Sequence, residues 1–143
     1  MSHPGAQPAS RRATVLVYSS SATTRERILT ALGTRPAPGL ELEFVQAETG
    51  REVVSICDAE AIDLAILDGE AAPTGGIGLG RQLKAELDTP PPVLLVVGRR
   101  DDAWLATWSR AEGVTAHPID AVRITEAAVA LLTPAGVVAT TGH

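Results

Sequence analysis

The sequence is poor in cysteine, lysine and aromatic residues and has no long apolar run. Cys57 is the only cysteine among 143 residues, which excludes an intramolecular disulfide framework and any multi-cysteine zinc site and fits a reducing compartment. Basic side chains are outnumbered: twelve Lys plus Arg stand against seventeen Asp plus Glu, for a formal charge of −5. No basic cluster exceeds the pairs Arg11-Arg12 and Arg99-Arg100, so the phosphate-neutralising footprint that nucleic-acid affinity requires is missing. DNA and RNA are not expected partners. The uncharged stretch 127–143 is broken by Pro134 and Gly136 and is too short to cross a bilayer as a helix. Residues 1–13, MSHPGAQPASRRA, hold no apolar run of the kind a secretory signal needs. A cytoplasmic location is expected, with any membrane association made through a protein partner.

What remains is aliphatic. Apolar residues make up 45% of the chain and charged residues 20%, enough for one compact domain to bury a core. Five short β-branched or leucine-rich runs stand at 14–19 (TVLVYS), 40–47 (LELEFVQA), 63–68 (DLAILD), 93–97 (VLLVV) and, weakly, 114–116. Between and after them lie helical patterns at 23–32, 50–60, 76–87, 102–111 and 121–132, with breakers at Pro36-Ala37-Pro38-Gly39, Pro73-Thr74-Gly75-Gly76 and Pro90-Pro91-Pro92. Strands buried on both faces and alternating with helices predict an α/β fold: a flavodoxin-like (βα)5 doubly wound parallel sheet of five strands. Residues 14–132 form the expected domain, between a flexible N-terminal arm at 1–13 and a flexible C-terminal tail at 133–143.

In an open parallel sheet, ligands meet the loops that leave the carboxyl ends of the strands. Those loops here are Ser19-Ser20-Ser21, Asp68-Gly69-Glu70, Gly98-Arg99 and His117-Pro118. The segment DLAILDGEAAPTGGIGLGRQLK, with a buried strand ending in Asp68, a loop proline at Pro73 and a glycine at Gly76, resembles the receiver domain of bacterial response regulators. His117-Pro118 stands where receivers carry Lys-Pro, commonly with a cis bond before the proline. The resemblance implies Asp68 as the equivalent of the phosphoacceptor. It also exposes departures. Ser19 and Ser20 replace the acidic pair after the first strand, Val97 replaces the Thr or Ser after the fourth, and His117 replaces the Lys after the fifth.

Receivers phosphorylate themselves by charge balance, because a hard divalent cation needs several oxygen ligands and a lysine steadies the phosphoryl oxygens. The one lysine of this sequence, Lys84, falls within the third helical segment. Glu70 offers a second carboxylate near Asp68, and protonated His117 a substitute cation. The reading is a degenerate receiver, not an enzyme, with no cofactor and no metal, that works by binding a protein partner. VLVYSSSATTRERILTALG and RRDDAWLATWSRAE further resemble small orphan receivers of mycobacteria, among them one associated with the proton-pumping respiratory NADH dehydrogenase. The partner so implied is that complex, met from its cytoplasmic side, in an accessory or regulatory role. The alternative is a single-domain response regulator phosphorylated on Asp68 by a sensor kinase.

Other features have plainer readings. Gly75, Gly76, Gly78 and Gly80 do not match GxGxxG, because Arg81 stands at the third glycine's place; turn and helix-entry geometry is the expectation. Cys57 lies on an apolar helix face beside Val53 and Val54 and is expected to pack. Ser21 or Thr23 suits a helix N-cap. Trp104 and Trp108, four apart, are partner-binding candidates, with at least one expected to plug the core and the other to face a partner. An enzyme or nucleotide binder on the same fold would draw on Asp68, Glu70 and His117, too few groups for assigned roles.

Overall fold

A computed structural model of the chain describes residues 11–133. Five strands, β1 (Arg11–Tyr18), β2 (Leu40–Ala47), β3 (Leu64–Asp68), β4 (Val93–Val97) and β5 (Gly113–Ala116), alternate with helices α1 (Ala22–Leu32), α2 (Gly50–Ala59), α3 (Gly76–Glu86), α4 (Leu105–Ser109) and α5 (Ala121–Leu132). All pairings are parallel and the strand order is β2-β1-β3-β4-β5. This is the doubly wound flavodoxin-like sheet that the alternating pattern predicts, with its topological switch between β1 and β3.

The two faces follow from the two-residue period of a strand. Val15, Val17, Ile66, Leu94 and Val96 pack against Ile28 and Leu32 of α1 and Ile124, Ala128 and Leu132 of α5. Their sheet neighbours Leu16, Tyr18, Ala65, Leu67 and Val93 meet Val53 of α2 and Leu79 and Leu83 of α3 on the other face. Each Val, Leu or Ile among them contributes about 1.5–3 kcal/mol when fully withdrawn from water. Helix entries are capped by side chains: Ser21 accepts from the Thr24 amide, Asp120 from the Arg123 amide, and Thr49 with Glu52 forms a reciprocal capping box. Ser21, and not Thr23, is the cap of α1.

Three expectations are corrected. The first strand begins at Arg11 and not at 14, so Arg11–13 belong to the sheet rather than to an arm. The Arg11 amide donates to Gly39 O at 2.7 Å, its guanidinium donates to Leu132 O at 2.6 Å, and Ala13 is buried. The helix expected over 102–111 is a 3-10 turn at Arg100–Asp102 followed by the five residues of α4. Arg110 ends it in the left-handed conformation at φ 65, and the Ala111 amide returns to Ala106 O at 2.9 Å. Neither tryptophan plugs the core: Trp104 is 65% and Trp108 49% exposed. The core under α4 is closed instead by Ala106 against Leu95 and Val97. Residues 1–10 and 134–143, the bulk of the expected arm and tail, lie outside the described residues.

Gly76 opens α3 and has no room for a side chain. A Cβ there would lie 2.8 Å from Asp68 O and 2.9 Å from the Leu67 carbonyl carbon. The glycine therefore lets the helix start directly on the end of β3, which sets Asp68 at the sheet's carboxyl edge. Lys84 is spoken for at the opposite edge, where its ammonium donates to both Glu112 carboxylate oxygens at 2.8 and 2.7 Å and to Pro91 O at 3.0 Å.

Candidate functional site at the carboxyl edge of the sheet

β1, β3 and β5 deliver Ser19, Asp68 and His117 to one place. Asp68 is 4% exposed and Ser19 is fully buried. The Ser19 hydroxyl donates to Asp68 Oδ2 at 2.8 Å, and the Glu70 amide donates to Oδ1 at 2.9 Å. His117 Nε2 lies 3.1 Å from the same Oδ1. A carboxylate only accepts, so the proton on this contact belongs to the imidazole. The peptide bond between His117 and Pro118 is cis, as the resemblance implies, and a second cis bond precedes Pro73. Both oxygens of Asp68 are thus engaged by this chain's own donors, in a pocket largely closed to water.

The surrounding residues hold that arrangement. Arg25 on α1 donates to Ser19 O at 2.6 Å and, through Nε, to Gln46 at 3.0 Å, fixing the end of β1. Ser19 Oγ also accepts from the Ser21 amide at 3.0 Å, so the hydroxyl is aimed at Asp68 by its own turn. Tyr18 donates its hydroxyl to Thr74 O, tying β1 to the loop before α3. Burial raises the Tyr18 pKa above its ordinary value, and the negative Asp68 nearby raises it further.

Of the remaining sequence candidates, Ser20 accepts from the Ala72 amide at 3.1 Å rather than bonding to Asp68. Val97 is buried and packs with Leu95 and Ala106, presenting no polar atom to the site. Glu70 is exposed, and its carboxylate folds over Gly98 so closely that a Cβ there would meet it at 2.8 Å. Trp104 and Trp108 lie apart from this cluster on the α4 segment. Arg25 and Tyr18 were not singled out by sequence reasoning, and Gly98 was named only as part of a strand-end loop. An arginine four residues after a cap looks like any solvated helix residue, and a glycine's missing side chain matters only once Glu70 is in place.

The donor set can be weighed against a divalent cation. Hard cations want several anionic oxygens. Here one carboxylate is fully engaged by N–H and O–H donors, and the second is bent over Gly98. Two hydroxyls stand where further carboxylates would be, one of them giving its proton to Asp68. Among the described residues no three His, Cys, Asp or Glu side chains are grouped as a metal would require. The residues present do not fit a divalent-cation site.

No protein-family model matches the chain. Uncharacterized response regulatory proteins from two strains of Mycobacterium tuberculosis are each 50% identical over 119 residues, covering 82% of this chain and 90% of theirs. The chain belongs to the response regulator family. Solved receiver folds agree in shape. A LuxR-family two-component response regulator from Aurantimonas superposes with a TM-score of 0.71 at 19% identity, covering 85% of this chain and 86% of that one. A chemotaxis response regulator of Vibrio cholerae superposes with a TM-score of 0.69 at 18% identity, covering 85% of this chain and all of that one. At such identities the structures establish the receiver fold alone. Response regulators meet protein partners such as sensor kinases. No described helix of this member is long and apolar enough to cross a membrane.

Proposed function

We propose that this response regulator is a degenerate receiver that acts as a non-catalytic interaction module, an accessory or regulatory subunit docking on a larger protein complex. One observation carries the reading: Asp68 is 4% exposed with both oxygens bonded to Ser19, the Glu70 amide and His117. Attack on a phosphodonor needs a carboxylate oxygen aimed at solvent beside a bound cation, and that oxygen is engaged here by internal donors. Hydroxyls in place of acidic residues leave too little negative charge for the cation, and no lysine stands ready to steady the phosphoryl oxygens. The resemblance to mycobacterial orphan receivers names the complex to test first, the proton-pumping respiratory NADH dehydrogenase at its cytoplasmic face.

Incubation with acetyl phosphate and Mg2+, followed by intact-mass measurement, tests the reading. The expected result is an unchanged mass. A phosphoryl increment that disappears in Asp68→Asn overturns it and establishes the second reading, a single-domain response regulator in a two-component phosphorelay. That reading draws on the 3.1 Å contact of His117 with Asp68, which sets a protonatable ring where receivers place their lysine.

A further inference from the structure

The chain holds four aromatic side chains, and the two largest are on its surface. Trp104 and Trp108 sit one helical turn apart, 65% and 49% exposed. A soluble chain with so few aromatics would gain more by burying them, and an exposed tryptophan beside an arginine is the composition of an interface hot spot. The patch is also tied to α3. Arg81 of α3 lies with its guanidinium carbon 4.9 Å from the centroid of the Trp108 ring and donates to Trp108 O at 2.8 Å. Gly80 of α3 faces Ser109, whose side chain is buried between the two helices.

Charge indicates what covers it. Arg81 together with 99–110 carries four arginines against two aspartates, a local positive excess on a chain of net charge −5. Asp102 is engaged by Arg99 at 3.4 Å, whereas neither Arg81 nor Arg110 forms an ion pair among the described residues. Arg110, two residues beyond Trp108, is exposed.

We propose that the Trp104, Trp108 and Arg81 surface on α3 and α4 is the docking face of this module, and that its occupant is an acidic segment of a partner protein. An apolar side chain of that segment lies on the indoles, and its flanking carboxylates meet Arg81 and Arg110. The assignment rests on the interaction-module reading and adds the contact face and the partner's chemistry. Nucleic acid is disfavoured by the overall negative charge.

The test is selection of a display library of short random peptides on the full-length chain, with selected peptides titrated by intrinsic tryptophan fluorescence. Enrichment of peptides carrying Asp or Glu around an apolar residue is expected. Their affinity should fall at least about tenfold in Trp104→Ala, Trp108→Ala, Arg81→Glu and Arg110→Glu and weaken as NaCl rises. Trp104→Ala and Arg110→Glu leave the packing between α3 and α4 intact, so their effects do not depend on a refolded contact. Enrichment without acidic bias, or equal binding by the charge-reversed variants, overturns the proposal. So does tryptophan-dependent sedimentation with phosphatidylglycerol vesicles, or a concentration-dependent dimer abolished by Trp108→Ala. Phosphorylation of Asp68 would instead overturn the module reading alone, and loss of peptide binding in these variants distinguishes the two failures.

Discussion

The two ends of β3 and β4 carry opposite solutions to charge. At the amino edge, Lys84 is 8% exposed and meets Glu112 at 2.7 Å, while Glu112 also accepts the Val93 amide at 2.7 Å. A permanent cation and a permanent anion there lock α3 to the starts of β4 and β5. At the carboxyl edge, Asp68 is served by a hydroxyl, an amide and an imidazole, donors that are neutral or titratable. The single lysine of the chain thus stabilises architecture at one edge, and at the other a carboxylate is held by hydrogen bonds without a fixed cation. A site that rests on neutral donors holds its shape with no added ion, which suits a docking module.

Breaking the amino-edge pair has the largest expected effect. Glu112→Ala leaves a nearly buried ammonium with only Pro91 O as a partner, and unfolding in urea should show a loss of about 3 kcal/mol, within the range for an orphaned buried charge. Lys84→Met keeps the aliphatic stem and leaves the half-exposed Glu112 to water. Its loss should be about 1 kcal/mol. Equal losses from the two variants would show that the pair is not asymmetric in burial, and the contrast between the edges would weaken.

The carboxyl edge gives a test of sign. In a site crowded with carboxylates, removing one relieves repulsion and raises stability. Asp68 has donors around it instead, so Asp68→Ala should lower stability by about 1–2 kcal/mol, because Ser19 and the Glu70 amide lose a buried acceptor. Asp68→Asn should cost less, since its amide oxygen still accepts. Denaturant midpoints measured with and without Mg2+ should coincide for all three proteins. A stabilising Asp68→Ala, or a midpoint that rises with Mg2+, would mean that this edge gathers more negative charge than its geometry allows.

Much of the fold is legible in the sequence because strands buried on both faces leave unbroken aliphatic runs, and LAILD and VLLVV need no context to be read. Asp68 and the cis His117-Pro118 bond follow from the motif. What escaped reading depends on neighbours distant in sequence. β1 starts at Arg11 because that residue pairs with β2 and reaches the end of α5, contacts that polar side chains do not announce. α4 is short because Arg110 turns left-handed and ends it, and only Ala106, Ser109 and the partly buried Leu105 seat it. The tryptophans show only a spacing that fits a buried stripe as well as an exposed one. The role of Glu70 over Gly98 is likewise visible only in three dimensions.

Alkaline titration gives the smallest effects and separates the carboxyl edge from the helices behind it. Burial pushes the Cys57 thiol from its ordinary 9.0 up to about 11, so folding favours the protonated form. Its stabilising contribution is complete below about pH 9 and is lost as pH rises toward 11. Alkylation of folded protein by iodoacetamide near neutral pH should be correspondingly slow, and Cys57→Ala should flatten part of the alkaline loss of stability. Tyr18 is raised for two reasons, burial first and the Asp68 charge second, and it is the only tyrosine in the chain. Its contribution is likewise held below its ordinary pKa and lost as pH climbs through the raised one. Asp68→Asn removes the second cause alone, so tyrosinate absorbance should appear at lower pH in that variant than in the parent while Cys57 is unmoved. An unshifted tyrosine titration would mean that Asp68 carries no charge, and the hydrogen bonds at the carboxyl edge would then have to be redrawn around a neutral acid.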